Sequence, residues 1–325
     1  MAAKIFMDMP SGSKMPAIGL GTFQSVETEL ENALNAALEA GYRHIDTAFV
    51  YENEVVIGRV LKQWISSGKV KREELFITTK LPICGVHEDR VELFIKKSLE
   101  NLQLDYIDLY LIHFPIGTNY VEGHSVTPPD QVKLEKSDHL AIWKKMEEQV
   151  EAGRAKNIGV SNFNENQIKK IIDSAKIKPA CLQIELHLSL QQKELVDFCH
   201  RNGLVVVAYS PLGSPGFNTF LESLGQEAIP LPNLLQNPDV KRIAEKHRKA
   251  SGQVMLRFLI QKNIVPIPKS VTASRIKENI DVFDFSLDSE DMKVLESLDV
   301  GERARIFDFN FFPLLKEHPE WPFKK

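Results

Sequence analysis

The sequence predicts an α/β protein built as a (β/α)8 barrel, and three observations carry that prediction. Eight short apolar runs punctuate the 325 residues. Several are apolar on both faces, as strands covered by helices outside and a core inside would be. Patterns of helical period lie between these runs. The first strand-to-helix turn reads GLGTFQ, with Gln24 where an open doubly wound sheet would place the last glycine of its fingerprint. Eight strands, each followed by a helix, fit one closed parallel barrel. At ~150 residues per domain the length would allow two domains, but barrels of ~250 residues form one unit. Residues 1–325 are therefore expected to form a single barrel domain.

Taken in order, the first strand is expected over residues 17–22 (AIGLGT). The helix after it, 28–40, carries Leu30, Ala33, Leu34, Ala37 and Leu38 on one face. It opens with a Thr28-x-x-Glu31 capping box and stops at Gly41. Strand 44–48 is followed by helix 54–67. Strand 75–81 (LFITTKL) is followed by helix 91–102, with Val91, Phe94, Ile95, Leu99 and Leu102 at the same period. Strand 106–113 (YIDLYLIH) enters a connection over 114–138, rich in Pro and Gly, before helix 139–152. Strand 155–162 (AKNIGVSN) precedes helix 165–175, and strand 180–187 precedes helix 192–201. Strand 204–210 (LVVVAYS) opens a second long connection, 213–237, containing Pro215, Gly216, Pro230 and Pro232. Strand 264–270 and helix 275–281 complete the barrel, and 301–325 reads as an irregular aromatic tail. Loops of this length in a compact domain are lids or binding loops.

Composition removes several function classes. Forty basic residues against 44 acidic ones give a net charge of −4, which offers nucleic acid no cationic surface. No apolar run reaches the ~18 residues a membrane helix needs. The opening MAAKIFMDMPSG sets Lys4 and Asp8 around too few apolar residues for a secretory signal. Three cysteines (Cys84, Cys181, Cys199), without C-x-x-C spacing or any N-x-S/T site, point to a reduced cytoplasmic setting.

In a barrel of this kind the active site lies at the carboxyl ends of the strands. Those ends carry Thr22, Asp46, Lys80, His113, Ser161 with Asn162, Gln183 and Glu185, Tyr209 with Ser210, and Lys269 with Ser270. Alone, Asp46 with Lys80 would read as a structural ion pair, and His113 as a hydrogen-bonded core histidine. Tyr51, just past the second strand, changes that reading. One acid, one amine, one imidazole and one phenol then converge from adjacent strand ends. A phenol near pKa 10 is a poor acid at neutral pH. A nearby ammonium is expected to lower that pKa, while the carboxylate holds the ammonium charged. A neutral imidazole can then donate to a substrate carbonyl. These are the parts of a proton-donating carbonyl site.

The segments GYRHIDTAFVYENE (41–54), the Lys80 strand, YIDLYLIH with His113, IGVSNF (158–163) and IPKSVTASRIKEN (267–279) resemble the aldo-keto reductases. The resemblance runs from Met15 to Phe323. It implies a cytoplasmic, monomeric, NADPH-dependent carbonyl reductase without a metal. By it, Tyr51 is the general acid, Lys80 and Asp46 tune it, and His113 orients the carbonyl. It also implies that Ser161, Asn162 and Gln183 hold the nicotinamide carboxamide and that Tyr209 stacks on the ring. The 210–214 segment, with Ser210, Leu212 and Ser214, then closes over the pyrophosphate. Lys269, Ser270 and Arg275 form the adenosine 2′-phosphate site, with Glu278 and Asn279 beside the adenine. Gly21, Thr22 and Asp46 complete the cofactor-binding set, Thr22 near the nicotinamide ribose. Two other classes compete. A non-catalytic NADPH-binding structural or channel-associated relative would share the fold. A lyase using Lys80 as Schiff-base nucleophile would need a neutral amine, which Asp46 opposes.

The substrate side departs from aldose-reductase-like members. Phe23 and Phe114 stand where those carry tryptophan, and Leu81-Pro82 follows Lys80 at another such position. Phe23, Phe49, Tyr51, His113 and Phe114 are expected to line a wide apolar mouth, joined by Phe307, Phe309, Phe311, Phe312 and Trp321 of the tail. The tail segments RIFDF and HPEWPF are similar to insect members, among them reductases of ecdysteroid 3-ketones such as 3-dehydroecdysone. A lipophilic aldehyde or a steroid-type ketone is the substrate this implies.

Overall fold

The structure, a computed structural model, describes residues 5–124 and 127–323. The extreme ends of the predicted domain and two positions of the first long connection lie outside the described residues. In chain order the strands are β1 (Phe6–Asp8), β2 (Lys14–Pro16), β3 (Leu20–Gly21), β4 (His44–Asp46), β5 (Phe76–Leu81), β6 (Ile107–Ile112), β7 (Gly117–Thr118), β8 (Leu134–Glu135), β9 (Ala155–Ser161), β10 (Cys181–Glu185), β11 (Val205–Tyr209) and β12 (Ile264–Pro266). The helices are α1 (Glu27–Ala40), α2 (Glu54–Ser66), α3 (Val91–Leu102), α4 (His139–Glu151), α5 (Glu165–Ile172), α6 (Lys193–Arg201), α7 (Phe217–Ser223), α8 (Pro238–His247), α9 (Ser251–Gln261), α10 (Ala273–Ile280) and α11 (Ser289–Glu296).

Eight strands pair in the order β3-β4-β5-β6-β9-β10-β11-β12, all parallel. A bridge between Gly21 and Lys269 closes the ring. The amides of Gly19 and Gly21 donate across the seam to the carbonyls of Pro266 (3.1 Å) and Pro268 (3.2 Å). The glycine spacing of the first strand has its cause here. A Cβ at Gly21 would stand 2.7 Å from the Ile267 carbonyl oxygen, and one at Gly19 would stand 2.7 Å from His44 Nδ1. Along β6 and β11 the period of two sorts side chains by face. Leu109, Leu111, Val205 and Val207 share the barrel interior with Met9 and Met15, while Tyr110, Ile112, Val206 and Ala208 join the helix layer. Met9 and Met15 belong to the β1–β2 hairpin, whose contribution to the interior the sequence reading did not anticipate.

The eight predicted strands and seven predicted helices are present with ends shifted by a few residues. One local reading is corrected. No Thr28–Glu31 capping box forms: α1 starts at Glu27, its N-cap is Val26, and no side chain caps it. Thr28 therefore lies inside the first turn, where Glu27 and Glu29 complement the helix dipole instead. Gly41 does end the helix, at φ 100°. The two long connections are more structured than expected. The first contains the β7–β8 hairpin, and the second contains α7.

Candidate active site

Asp46 ends β4, Lys80 lies in β5 and His113 follows β6, so register alone brings them to one rim. Tyr51 arrives by a tight turn, a 3-10 segment over Phe49–Tyr51 that stops at Glu52 with φ 54°. Asn53 holds this turn. Its Nδ2 donates to the carbonyls of Thr22 (2.9 Å) and Ser25 (3.2 Å), and its Oδ1 accepts from Thr47 Oγ1 (2.8 Å). Thr22 Oγ1 in turn donates to the Asp46 carbonyl at 2.9 Å.

Asp46 is shared between two donors. Lys80 Nζ donates to Oδ1 at 2.5 Å and to the Thr47 carbonyl at 2.8 Å, while Gln183 Nε2 donates to Oδ2 at 2.7 Å. Lys80 is fully buried and Asp46 is 2% exposed, so each charge is sustained by the other. The Lys80 ammonium lies 5.2 Å from the centre of the Tyr51 ring, and that ring meets His113 edge-on at 5.7 Å.

The electrostatics correct one expectation. Enclosure, reinforced by the Asp46 charge, holds the Tyr51 phenol well above its usual value rather than below it. Asp46 lies close enough to spend the field of Lys80, and a phenolate would lose its water. Burial also draws the Lys80 ammonium below the usual amine range, with Asp46 opposing. His113 is pushed well below the usual imidazole value by burial and then by Lys80. At neutral pH the site thus presents a protonated phenol beside a neutral imidazole, both competent as donors.

The positions expected to hold a dinucleotide gather at the same rim. Ser161 ends β9 and Asn162 follows it, with φ 62°. Asn162 Nδ2 donates to the His113 carbonyl (3.0 Å) and to Ser161 Oγ (3.1 Å), while its Oδ1 accepts from Tyr209 Oη at 2.8 Å. Asn162, Ser161, the Tyr209 phenol and the His113 backbone are thereby one hydrogen-bonded unit. Beyond Tyr209 the chain turns through left-handed conformations at Ser210, Gly213 and Ser214, with Ser214 Oγ donating to Ser210 Oγ at 2.7 Å. Leu212 packs onto the helix layer, which anchors this strap. Gly21 and Thr22 are buried beside the seam that Lys269 closes. Ser270 follows, Arg275 and Glu278 stand exposed on α10, and Asn279 is buried there. These groups fit a dinucleotide: buried amides for a carboxamide, a flat ring, a curved backbone strap and exposed cations. Among the described residues no group of three or more His, Cys, Asp or Glu could hold a metal ion.

Two predicted substrate residues face elsewhere. Phe49 packs edge-on against Phe94 of α3 at 5.0 Å, inside the helix-layer core. In a 3-10 turn of three residues, Phe49 and Tyr51 cannot point the same way. Phe114 is 2% exposed beneath Phe309, Trp321 and Phe323, because strand alternation sends it to the side opposite His113. It seats the tail. Phe23 keeps its expected place, 5.0 Å from Tyr51. The sequence reading missed Phe220 of α7, which packs edge-on against Phe23 at 5.4 Å. Its signal was an aromatic in a connection already expected to act as a lid.

A profile of the aldo/keto reductase family matches residues 17–300. Aldo-keto reductase family 1 member A1 of Xenopus tropicalis is 43% identical over 321 residues, covering 96% of this chain and 95% of that protein. The aldose reductase of Schistosoma japonicum superposes with a TM-score of 0.88 at 40% identity, covering 99% of both chains. A Bombyx mori aldo-keto reductase solved in complex with NADP superposes at 0.86 with 38% identity, covering 99% of this chain and all of that one.

Proposed function

The chain belongs to the aldo/keto reductase family and is an oxidoreductase that works with NADPH; we propose that it reduces lipophilic aldehydes and steroid-type ketones to alcohols, with Tyr51 as the proton donor. The observation that carries this reading is a protonated, enclosed phenol bounded by His113, Lys80 and an apolar ring, Phe23. NADPH, when bound, supplies the hydride that reaches the carbonyl carbon. His113, neutral, donates an N–H to the carbonyl oxygen and fixes its direction. Tyr51 gives its phenolic proton to that oxygen as negative charge gathers there. The phenolate left behind gains from the Lys80 ammonium, which Asp46 and the Thr47 carbonyl hold in place. Gln183 braces the far oxygen of Asp46 and keeps its own carbonyl as an acceptor for an amide N–H. Tyr209 offers its ring as a platform whose tilt Asn162 sets.

The rim supports this substrate class. Phe23, Phe220 and Phe307 present carbon where a sugar would need hydrogen-bond partners. Each additional methylene buried there adds up to ~0.8 kcal/mol, so efficiency should rise with chain length or ring number. The similarity of the tail to insect members makes an ecdysteroid 3-ketone such as 3-dehydroecdysone the specific candidate, and the Bombyx neighbour is itself an insect protein. A kcat/KM comparison with NADPH, short against long aldehydes and glucose against a steroid ketone, tests this. Glucose turned over better than every lipophilic carbonyl would refute the substrate class and leave the reductase reading standing. No NADPH oxidation with any carbonyl, nitrobenzaldehyde included, would favour a binding-only relative.

A further inference from the structure

β10 ends in Glu185, a strand-end carboxylate with no exposed side-chain surface and no part in the catalytic or cofactor-binding sets described above. Burying an ionised carboxylate is costly unless strong donors surround it. Its donors come from the tail. The backbone amide of Ile306 donates to Oε1 at 2.8 Å, and that of Phe307 donates to Oε2 at 2.9 Å. His187 Nε2 stands 3.2 Å from Oε1. Just before this point, the Arg305 guanidinium pairs with Glu302 and lies 4.0 Å over the Phe323 ring. The tail is thus fastened to the barrel end of β10 at one peptide, and that peptide carries a ring that meets Tyr209 and Phe23. Phe307 lies 4.6 Å from Phe217 of α7, 5.5 Å from Tyr209 and 6.2 Å from Phe23. Ile306, on the other side of the peptide, is 2% exposed and packs with Phe217 and Leu221.

We propose that Glu185 is a positioning residue: by gripping the Ile306 and Phe307 amides from inside the barrel, it aims Phe307 over the carbonyl site and thereby sets selectivity for large apolar substrates. This rests on the carbonyl-reductase reading. Glu185 takes no part in hydride or proton transfer. It specifies where the apolar wall stands, and two amide hydrogen bonds to a charged acceptor are stiff enough for that task. Its effect must therefore appear in the binding of substrates long enough to touch Phe307 and vanish for those that do not.

The test uses the full chain with saturating NADPH and two carbonyls, nitrobenzaldehyde and a steroid 3-ketone. Glu185→Gln keeps the shape but replaces one acceptor with a donor, so one tail amide loses its partner. The KM for the steroid ketone should rise about tenfold with kcat within about twofold, while nitrobenzaldehyde kinetics stay within about twofold. Phe307→Ala should show the same loss for the ketone, and the double variant should be no worse than the poorer single one. Hydrogen exchange at the Ile306 and Phe307 amides should accelerate about tenfold or more in Glu185→Gln. If that variant fails to fold, Glu185→Asp keeps the charge one methylene short and should give the same split. Equal losses for both carbonyls, a loss confined to kcat, additive losses in the double variant, or unchanged amide exchange would each overturn the proposal. A wild-type protein that reduces neither carbonyl would sink the reductase reading and selectivity together, and the exchange rates would then identify Glu185 as an anchor alone.

Discussion

Asp46 illustrates how single residues are set here by what they must share. One of its oxygens accepts from Lys80 and the other from Gln183, so both are already engaged by donors inside the barrel. The end proposed for the adenosine phosphate rests on a different balance. Lys269 and Ser270 are adjacent in the chain and Arg275 stands exposed on α10, and burial holds the Lys269 ammonium below its usual value against the opposing Glu29 charge. Charge-assisted hydrogen bonds to a phosphate contribute roughly 1.5–3 kcal/mol each. Lys269→Ala combined with Arg275→Ala should therefore weaken NADPH by ~100-fold or more and leave NADH affinity nearly unchanged. Fluorescence titration of both nucleotides checks this, and equal losses would place these residues elsewhere. The acid, amine, imidazole and phenol were legible as residue types at strand ends. The direction of the phenol's shift was not, because it depends on how deeply the ring is enclosed and then on the Asp46 charge, neither of which residue types reveal. Phe49 and Phe114 were misread because neighbours one or two positions from a site residue share its address but not its direction.

Among the elements, α5 joins the helix layer to the tail. Asn164 caps it by accepting from the Gln167 amide at 3.0 Å, and Gln167 returns the bond to the Asn164 amide at 3.1 Å. The same two side chains donate to the carbonyls of Pro322 and Glu320. Asn164→Ala should thus remove a cap and a tail contact together, costing about 1–2 kcal/mol in a urea unfolding curve. A loss below the resolution of that curve would show that neither bond contributes. The barrel strands were easy to read because each buries both faces, and α1 and α3 were easy because each buries one stripe. α9 was missed for the opposite reason. Gly252 to Leu256 and Phe258 to Ile260 are all buried, so no stripe distinguishes it. α8 carried readable signals, Asn237 as cap and Pro238 in its first turn, at the end of a connection already dense in proline. The three-residue strands of the N-terminal hairpin are too short for any period.

At the scale of the whole molecule, β4 carries a buried histidine two residues before Asp46. His44 is fully buried, with Nε2 3.2 Å from Thr78 Oγ1, and burial pulls it from 6.5 down to about 4. The unfolded chain takes up that proton below pH 6.5, whereas the folded chain resists until about 4. Stability is therefore complete above 6.5 and falls as pH drops through that window, by about 3 kcal/mol from His44 alone. His113, depressed by the same cause, has the same sign. Urea midpoints followed from neutral pH to about pH 4.5 should decline, and His44→Gln should flatten the decline relative to its own neutral value. A wild-type midpoint that holds constant would refute the assignment. The barrel, its strand-end site and its aromatic cover together amount to one claim, that this fold places a protonated phenol where a carbonyl oxygen takes up a proton as its carbon is reduced. Tyr51→Phe removes that proton and little else. Stopped-flow NADPH oxidation with nitrobenzaldehyde, beside a titration of NADPH binding, should show affinity retained and turnover lowered by ~10²–10⁴ or more. A phenylalanine variant that binds NADPH and keeps a tenth of wild-type turnover would contradict the account.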